Sequence, residues 1–165
     1  MGTMIREATA ADIPLILTFI RALAEYERAP DAVTATAEDL ARHGFGAQPY
    51  YQCLIAEDDG QPAGFAFFFF DYSTWLGKPG IYLEDLFVYP ELRGRGIGKA
   101  LLKRVAAVAV ERGCARLKWQ VLDWNTPAID FYRAMGGDFM DEWRSVRLSG
   151  EALERLAGAA ERDCG

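Results

Sequence analysis

Residues 82–102 read YLEDLFVYPELRGRGIGKALL: an apolar, strand-like run, a glycine-rich loop, and then an apolar run with helical spacing. Three glycines and two arginines stand within the six residues 93–98. Glycine at this density costs chain entropy, so we expect something to approach the backbone closely. A loop between a strand and a helix start aims free N–H groups at an anion, most often a phosphate. A plain glycine turn with solvated arginines is the alternative.

The spacing of this loop excludes two familiar phosphate-binding loops. A dinucleotide fingerprint counted from Gly94 needs glycine at position 99, where the chain has Lys99. A nucleoside-triphosphate loop needs Ser or Thr at position 100, where the chain has Ala100. The loop therefore lacks the hydroxyl that would bind magnesium. It offers a phosphate three cations and no metal: Arg93, Arg95 and Lys99.

Hydrophobic periodicity predicts an alternation of strands and helices on both sides of this segment. Strands are predicted over 4–7, 50–57, 63–72, 81–89, 116–122 and 143–148. Helices are predicted from about 13, from 37 to about 44, over 97–112, from 126 to about 136, and after Ser149 as a cap. Capping boxes are expected at Thr9 with Asp12 and at Thr36 with Asp39, and Thr126 is expected to cap the helix that Pro127 opens.

The predicted strand 63–72 carries four consecutive phenylalanines, Phe67–Phe70. Their side chains alternate between the two faces of a sheet, so all four are buried only when both faces are covered. We therefore expect a central strand with helices on both sides. The turn DDGQ at 58–61 joins this strand to the preceding one and predicts a hairpin.

Composition and charge describe a globular, acidic chain. The 165 residues are 51% hydrophobic, which predicts one domain over residues 1–165. The net charge of −6 argues against a nucleic-acid partner and suits a cationic ligand, although acidic soluble proteins are common.

Cysteine use and the absence of long apolar runs bear on location. Cys53, Cys114 and Cys164 are odd in number and widely spaced, so they fit neither a metal site nor a disulfide framework. This pattern is typical of a reducing compartment. No apolar run has the length of a signal peptide core or of a membrane span. We expect a cytoplasmic protein with no membrane partner.

Two motifs resemble the GNAT acyltransferases. Their loop, Arg/Gln-x-x-Gly-x-Gly/Ala, is matched by Arg93, Gly96 and Gly98, and N-x-P-A-x-x-F-Y-x-x-x-G is matched over 125–136. The resemblance implies the GNAT fold, an α/β domain with a mixed, mostly antiparallel sheet flanked by helices. It also implies a cleft for acetyl-CoA, opened where the strand at 118–122 splays away, and no metal. The implied cofactor contacts are Leu86, Phe87, Val88, Arg93, Gly94, Arg95, Gly96, Ile97, Gly98, Lys99, Asn125, Pro127, Ala128 and Phe131.

Five stretches resemble one branch of that family, the diamine acetyltransferases, which include spermidine/spermine and thialysine acetylating members. They are TAADI, ALAEYE, GFGAQPYYQCLIAE, YLEDLFV and DWNTPAIDFY. The resemblance implies that Glu84 acts as a base, directly or through water, that Tyr132 is the general acid, and that the protein is a homodimer. The implied contacts to the substrate amine are Tyr26, Glu27, Glu84 and Glu142.

The residue chemistry is compatible with these roles. An alkylamine has a pKa of about 10 and must lose a proton before it attacks a thioester, which a carboxylate at Glu84 can accept. Strand alternation places Glu84 and Asp85 on opposite faces, so only one of them lines a given cleft. A tyrosine such as Tyr132, taken alone, is more often a core residue than a proton donor.

We therefore expect an acetyl-CoA-dependent N-acetyltransferase acting on a small polyamine, a diamine or a lysine-like amine. Two alternatives stay open: acetylation of a protein N-terminus or lysine, and non-catalytic sensing of an acyl-CoA.

Overall fold

Helices and strands alternate along residues 2–163, the part of the chain that the computed structural model describes. In chain order they are β1 (Thr3–Glu7), α1 (Ile13–Tyr26), α2 (Ala37–Gly44), β2 (Gln52–Asp58), β3 (Gln61–Ser73), β4 (Lys78–Val88), α3 (Ile97–Glu111), β5 (Leu117–Lys118), α4 (Thr126–Ala134) and α5 (Gly150–Asp163). The chain forms two compact units, Met1–Leu122 with the sheet and Asp123–Gly165 with the last two helices. The single domain expected over 1–165 stays a prediction.

One five-stranded sheet in the order β1-β2-β3-β4-β5 forms the first unit. The first four strands pair antiparallel, and β5 pairs parallel to β4. The hairpin predicted at DDGQ is confirmed, with its turn at Asp59 (φ 49°) and Gly60 (φ 77°). A mixed, mostly antiparallel sheet is therefore confirmed, with β3 as its central strand.

Helices cover both faces of the central strand, as the phenylalanine run predicted. On one face, α1 packs against β3, where the rings of Phe19 and Phe65 are stacked with centroids 5.2 Å apart and both side chains are fully buried. Burying a phenylalanine contributes roughly 1.5–3 kcal/mol, so these two rings stabilise this interface substantially. The helix α3 packs on β3 and β4. Its predicted apolar stripe is buried: Ile97, Leu101, Val105 and Val108. The cover is incomplete: Phe68 is buried and Phe67 and Phe69 are half-buried, but Phe70 is 37% exposed, so the expectation that all four are buried is wrong at Phe70.

Local signals at the helix starts are also confirmed. The Thr36 hydroxyl accepts a hydrogen bond from the Asp39 N–H at 3.2 Å, and the Asp39 carboxylate accepts one from the Thr36 N–H at 3.0 Å. The Asp12 carboxylate accepts from the Thr9 N–H at 2.7 Å and forms an ion pair with Arg6 at 2.8 Å. This reciprocal capping begins the chain segments that lead into α2 and α1.

Two predicted strands differ from the structure. The strand predicted over 116–122 is reduced to β5, because ladder bonds to β4 end at Lys118 and an extended segment without a partner forms no strand. The strand predicted over 143–148 is wrong. The described residues of its unit contain no other strand to pair with, and its side chains are exposed, Val146 by 93%.

Smaller differences concern a cap and the thiols. Asn125, and not Thr126, is the residue that precedes the first turn of α4, so Pro127 lies one position further into the helix than predicted. Cys53 is buried and Cys114 half-buried, both as free thiols, while Cys164 lies outside the described residues.

Among the residues that the structure describes, no helix is both long and apolar enough to cross a membrane.

Candidate active site

The glycine loop adopts a backbone that only glycine tolerates well. Gly94 and Gly96 have φ values of +80° and +82°, in the left-handed region. A Cβ built at either position has no heavy atom within 4 Å, and one at Gly98 would meet only Val88 Cγ2 at 3.8 Å. The loop is therefore open on the side where side chains would stand, and its backbone is accessible to a ligand.

The first turn of α3 adds unpaired N–H groups to this opening. Its first intrahelical hydrogen bond runs from the Ala100 N–H to the Gly96 carbonyl at 3.0 Å. The N–H groups of Ile97, Gly98 and Lys99 therefore precede the helical ladder and have no acceptor within it. Together with the positive end of the helix dipole, they fit a diphosphate such as that of acetyl-CoA.

The two arginines of the loop make contacts within the protein itself. The Arg93 Nε donates a hydrogen bond to the Val88 carbonyl at 3.0 Å, and its guanidinium lies 4.2 Å from the centre of the Tyr26 ring. Arg95 forms an ion pair with Asp58 at 3.0 Å. All three cations predicted to face a phosphate are exposed, but only Lys99 forms neither an ion pair nor a ring contact with the described residues. The backbone N–H groups and Lys99 are thus better placed than the arginines as the anion-binding groups of this loop.

The strand β4 has an open edge beside the loop. It pairs with β5 only at Ile81 opposite Leu117 and Tyr82 opposite Lys118. From Leu83 to Val88 the β5 side of the strand has no ladder partner among the described residues, while the other side stays paired with β3. This separation is the splay that the resemblance implied, and residues 86–88 lie along it.

Glu84 occupies a β-bulge in β4. The register places Leu83 opposite Phe68 and Asp85 opposite Phe67, so Glu84 is the extra residue. Strict alternation, which the sequence analysis assumed for this strand, is interrupted at Glu84. Glu84 is exposed, whereas Asp85 is half-buried on the same side as Phe87, toward α1.

Asp85 is a titratable group that the sequence analysis left without a role. Burial raises the pKa of Asp85 from 3.8 to about 7, and the charges of Glu84 and Glu27 add to the shift. Burial also raises the pKa of Glu27, which caps the end of α1. In the described part of the chain, none of these three carboxylates forms an ion pair with Lys, Arg or His. The adjacent acidic residues Glu84 and Asp85 were visible in the sequence, but the burial of Asp85 depends on α1.

The end of α1 brings together residues that are distant in the sequence. Tyr26 is its last residue and Glu27 its cap, with the Glu27 N–H donating to the Leu23 carbonyl at 2.9 Å. Tyr26 contacts Arg93, and Glu27 lies close enough to influence Asp85. The first unit therefore places Tyr26 against Arg93 of the glycine loop, and Glu27 near Asp85, the neighbour of Glu84.

The remaining predicted site residues belong to the second unit. Tyr132 lies in α4, is 9% exposed, and its ring centroid is 5.5 Å from that of Phe131. Its carbonyl accepts a hydrogen bond from the Gly137 N–H at 3.0 Å, which closes the helix end. Asn125, Pro127 and Ala128 form the start of the same helix. Glu142 is exposed and lies outside any helix or strand.

Comparison with known proteins identifies the family. Residues 18–136 match the family model described as "Acetyltransferase (GNAT) family". The chain is 46% identical to a Bos taurus thialysine N-epsilon-acetyltransferase, over 94% of this chain and 97% of that protein. It is 32% identical to the Arabidopsis thaliana L-ornithine N5-acetyltransferase NATA1, over 94% and 88%.

Solved structures give the same result for the fold. An integron cassette protein from the mobile metagenome of V. cholerae superposes with a TM-score of 0.78 at 28% identity, covering 95% of this chain and 98% of that one. The described residues contain no cluster of three or more His, Cys, Asp or Glu side chains that could hold a metal ion. The open glycine loop, the splayed strand and these matches together show that the chain is an acyltransferase enzyme that belongs to the GNAT acetyltransferase family.

Proposed function

We propose that this enzyme transfers the acetyl group of acetyl-CoA directly to the terminal primary amine of a small lysine-like amino acid or diamine. The observation that carries the proposal is the group of three carboxylates beside the open edge of β4, Glu27, Glu84 and Asp85, which form no ion pair with a cation of the described residues. An alkylamine is a cation at neutral pH, with a pKa of about 10. Such a cation supplies a counter-charge for these carboxylates.

The cofactor side of the proposal is supported by the loop and the strand edge. Acetyl-CoA supplies an activated acyl thioester, and the N–H groups of residues 97–99 suit its diphosphate. The unpaired edge of β4 at residues 86–88 offers backbone groups to an extended arm, in the manner of strand addition. A Cβ at Gly94 or Gly96 would be strained and would cover this surface.

The proton acceptor in the proposal is the Glu84–Asp85 pair. The amine attacks only after it has lost a proton, so a base with a pKa near the working pH is the most effective acceptor. Asp85, whose pKa is raised to about 7, meets this condition, and exposed Glu84 can pass the proton on through water. Tyr132 is proposed as the donor that protonates the leaving sulfur, an assignment that rests on the motif N-x-P-A-x-x-F-Y.

The substrate class is supported by the relatives. One carries the name of a thialysine Nε-acetyltransferase and another that of an ornithine N5-acetyltransferase, and both names place the reacting nitrogen at the end of an amino-acid side chain. We extend this class to the present chain, with diamines as the closest variation. The homodimer, the cytoplasmic location and the Glu142 contact stay predictions.

A thioester-cleavage screen tests the proposal. The release of free thiol from acetyl-CoA is followed with thialysine, lysine, ornithine, spermidine, a monoamine of matched length, and a peptide with a free N-terminus and one lysine. We expect the highest kcat/KM with the lysine-like amines and diamines. Equal values for the monoamine would contradict the proposal, and a faster reaction with the peptide would indicate a protein acetyltransferase instead.

A further inference from the structure

The parallel pairing of β4 with β5 is very short, although the gap between the two strands begins where this pairing ends. Only two residue pairs join the strands before they separate. Two backbone hydrogen bonds lie at the start of this contact, from the Ile81 N–H to the Arg116 carbonyl at 3.0 Å and from the Ala115 N–H to the Pro79 carbonyl at 2.9 Å. So few ladder bonds leave the point of separation weakly determined by the backbone alone.

A side-chain ion pair crosses the sheet at this point. Asp71 lies on β3 directly opposite Gly80 of β4, and its carboxylate is 3.1 Å from the Lys118 Nζ on β5. The pair therefore joins two strands that are not neighbours, passing over the intervening β4. Adjacent strands are about 4.8 Å apart, so the two side chains together span about 10 Å.

Gly80 leaves the space that this crossing needs. A Cβ at position 80 would collide with the Asp71 Oδ1 and would lie 3.2 Å from the Arg116 Cγ and carbonyl oxygen. Gly80 is itself buried, and its φ is not in the left-handed region, so backbone conformation does not explain the glycine. The room for the Asp71 carboxylate explains it.

The burial of the pair is unequal. The Asp71 side chain is 20% exposed and its Oδ1 is buried without a hydrogen-bond partner in the described residues, whereas the Lys118 side chain is 50% exposed. Removing the lysine would leave a half-buried carboxylate without its counter-charge, which is more costly than losing an exposed pair. The ion pair with Asp71 therefore restrains Lys118, and with it the end of β5.

We propose that the Asp71–Lys118 ion pair, passing over Gly80, is a positioning device that fixes where β4 and β5 separate and so sets the gap for the acyl-CoA arm. The inference rests on the proposed function in one respect, the use of that gap by acetyl-CoA. Neither residue touches the reacting atoms in this proposal, since both act through the position of β5.

The test compares Lys118→Met with Lys118→Arg and with Asp71→Asn. Losing the ion pair in Lys118→Met or Asp71→Asn should raise KM for acetyl-CoA about two- to five-fold, the range that corresponds to a partly exposed ion pair, with kcat changed less. Lys118→Arg keeps the charge and should keep KM. The double variant should be no worse than the worse single variant, because the two residues act as one unit. Arg42→Met, which breaks the exposed Arg42–Asp39 pair on α2, is the matched control.

A second readout separates this inference from the proposed function. Hydrogen exchange of the amides at residues 115–122, measured in the free protein, should be faster in Lys118→Met and Asp71→Asn and unchanged in Lys118→Arg and in the control. A wild-type enzyme inactive with every amine would overturn the proposed function, and exchange alone would then decide the role of the ion pair. Unchanged exchange, or a lower thermal stability with unchanged KM for acetyl-CoA, would overturn the inference.

Discussion

Replacing Asp85 by asparagine should stabilise the protein at neutral and alkaline pH, although it removes a charged residue from the candidate active site. The folded protein holds a proton on Asp85 up to about pH 7, whereas in the unfolded chain the group ionises near pH 3.8. The folded state therefore binds more protons between these values, and the free energy of unfolding falls as the pH rises through this range. Above pH 7 the whole cost of the buried charge is present.

The magnitude follows from the size of the pKa shift. About three pKa units at about 1.4 kcal/mol each correspond to roughly 4 kcal/mol, which is an upper bound because the side chain is only half-buried. Asparagine has nearly the same shape and carries no charge at any pH. We expect the variant to match the wild type at pH 4 or below and to exceed its free energy of unfolding by about 1–4 kcal/mol at pH 8.

Urea unfolding at intervals from pH 4 to pH 8 measures the effect directly. The matched control is Asp31→Asn, which removes an exposed carboxylate on a short 3-10 turn outside the candidate site. A stability gain for Asp85→Asn that does not depend on pH, or a loss at pH 8, would refute the reasoning, since either result means that Asp85 is not a buried charge. Turnover of the same variant should fall, because the amine loses its proton acceptor.

Three further substitutions test the other parts of the site. Gly98→Val should fold normally, since a Cβ there meets only Val88 at 3.8 Å, but should raise KM for acetyl-CoA far more than KM for the amine; unchanged calorimetric affinity for acetyl-CoA would contradict the phosphate cradle. Tyr132→Phe should lower kcat by about 10²–10⁴ with little change in acetyl-CoA affinity, and full turnover across the pH range would exclude Tyr132 as proton donor. Glu27→Gln should reduce the preference for a diamine over a matched monoamine by about 1 kcal/mol, measured as a ratio of kcat/KM values, whereas an unchanged ratio would leave Glu27 without a role in recognition.

Most of the fold followed from patterns that are local in the sequence. The apolar stripe of α3, the hairpin turn at Asp59-Gly60 and the capping box at Thr36 each depend on residues within one or two turns of each other. The predicted strand at 143–148 was wrong for the opposite reason. Its residues have suitable strand propensity, but a strand exists only with a ladder partner, and propensity carries no information about partners.

The same distinction separates what was predicted of the candidate site from what was not. The glycine loop was recognisable because its spacing is local, whereas the contact of Arg93 with the Tyr26 ring joins residues 67 positions apart. The bulge at Glu84 has no glycine or proline to mark it, so alternation alone gave a misleading picture of that strand. The burial of Asp85 depends on α1, so the raised pKa of Asp85 could not be predicted from the residues next to it in the chain.

Acidic residues lie on β4, and the basic glycine loop follows the end of the same strand. The acidic residues Asp85 and Glu84 lie about 10 and about 13 Å before Val88, at about 3.3 Å per residue, and the glycine loop begins beyond that end. The one loop arginine that faces α1, Arg93, lies over the Tyr26 ring and donates to the Val88 carbonyl, and it forms no ion pair with Glu27, Glu84 or Asp85 within the described chain. An ion pair between Arg93 and those carboxylates would have cancelled their negative charge and, at the same time, the positive charge of the arginine at the start of the glycine loop. Because Arg93 is held on an aromatic face instead, the acidic residues of β4 stay available for the substrate cation and the glycine loop for the phosphate in the function proposed above.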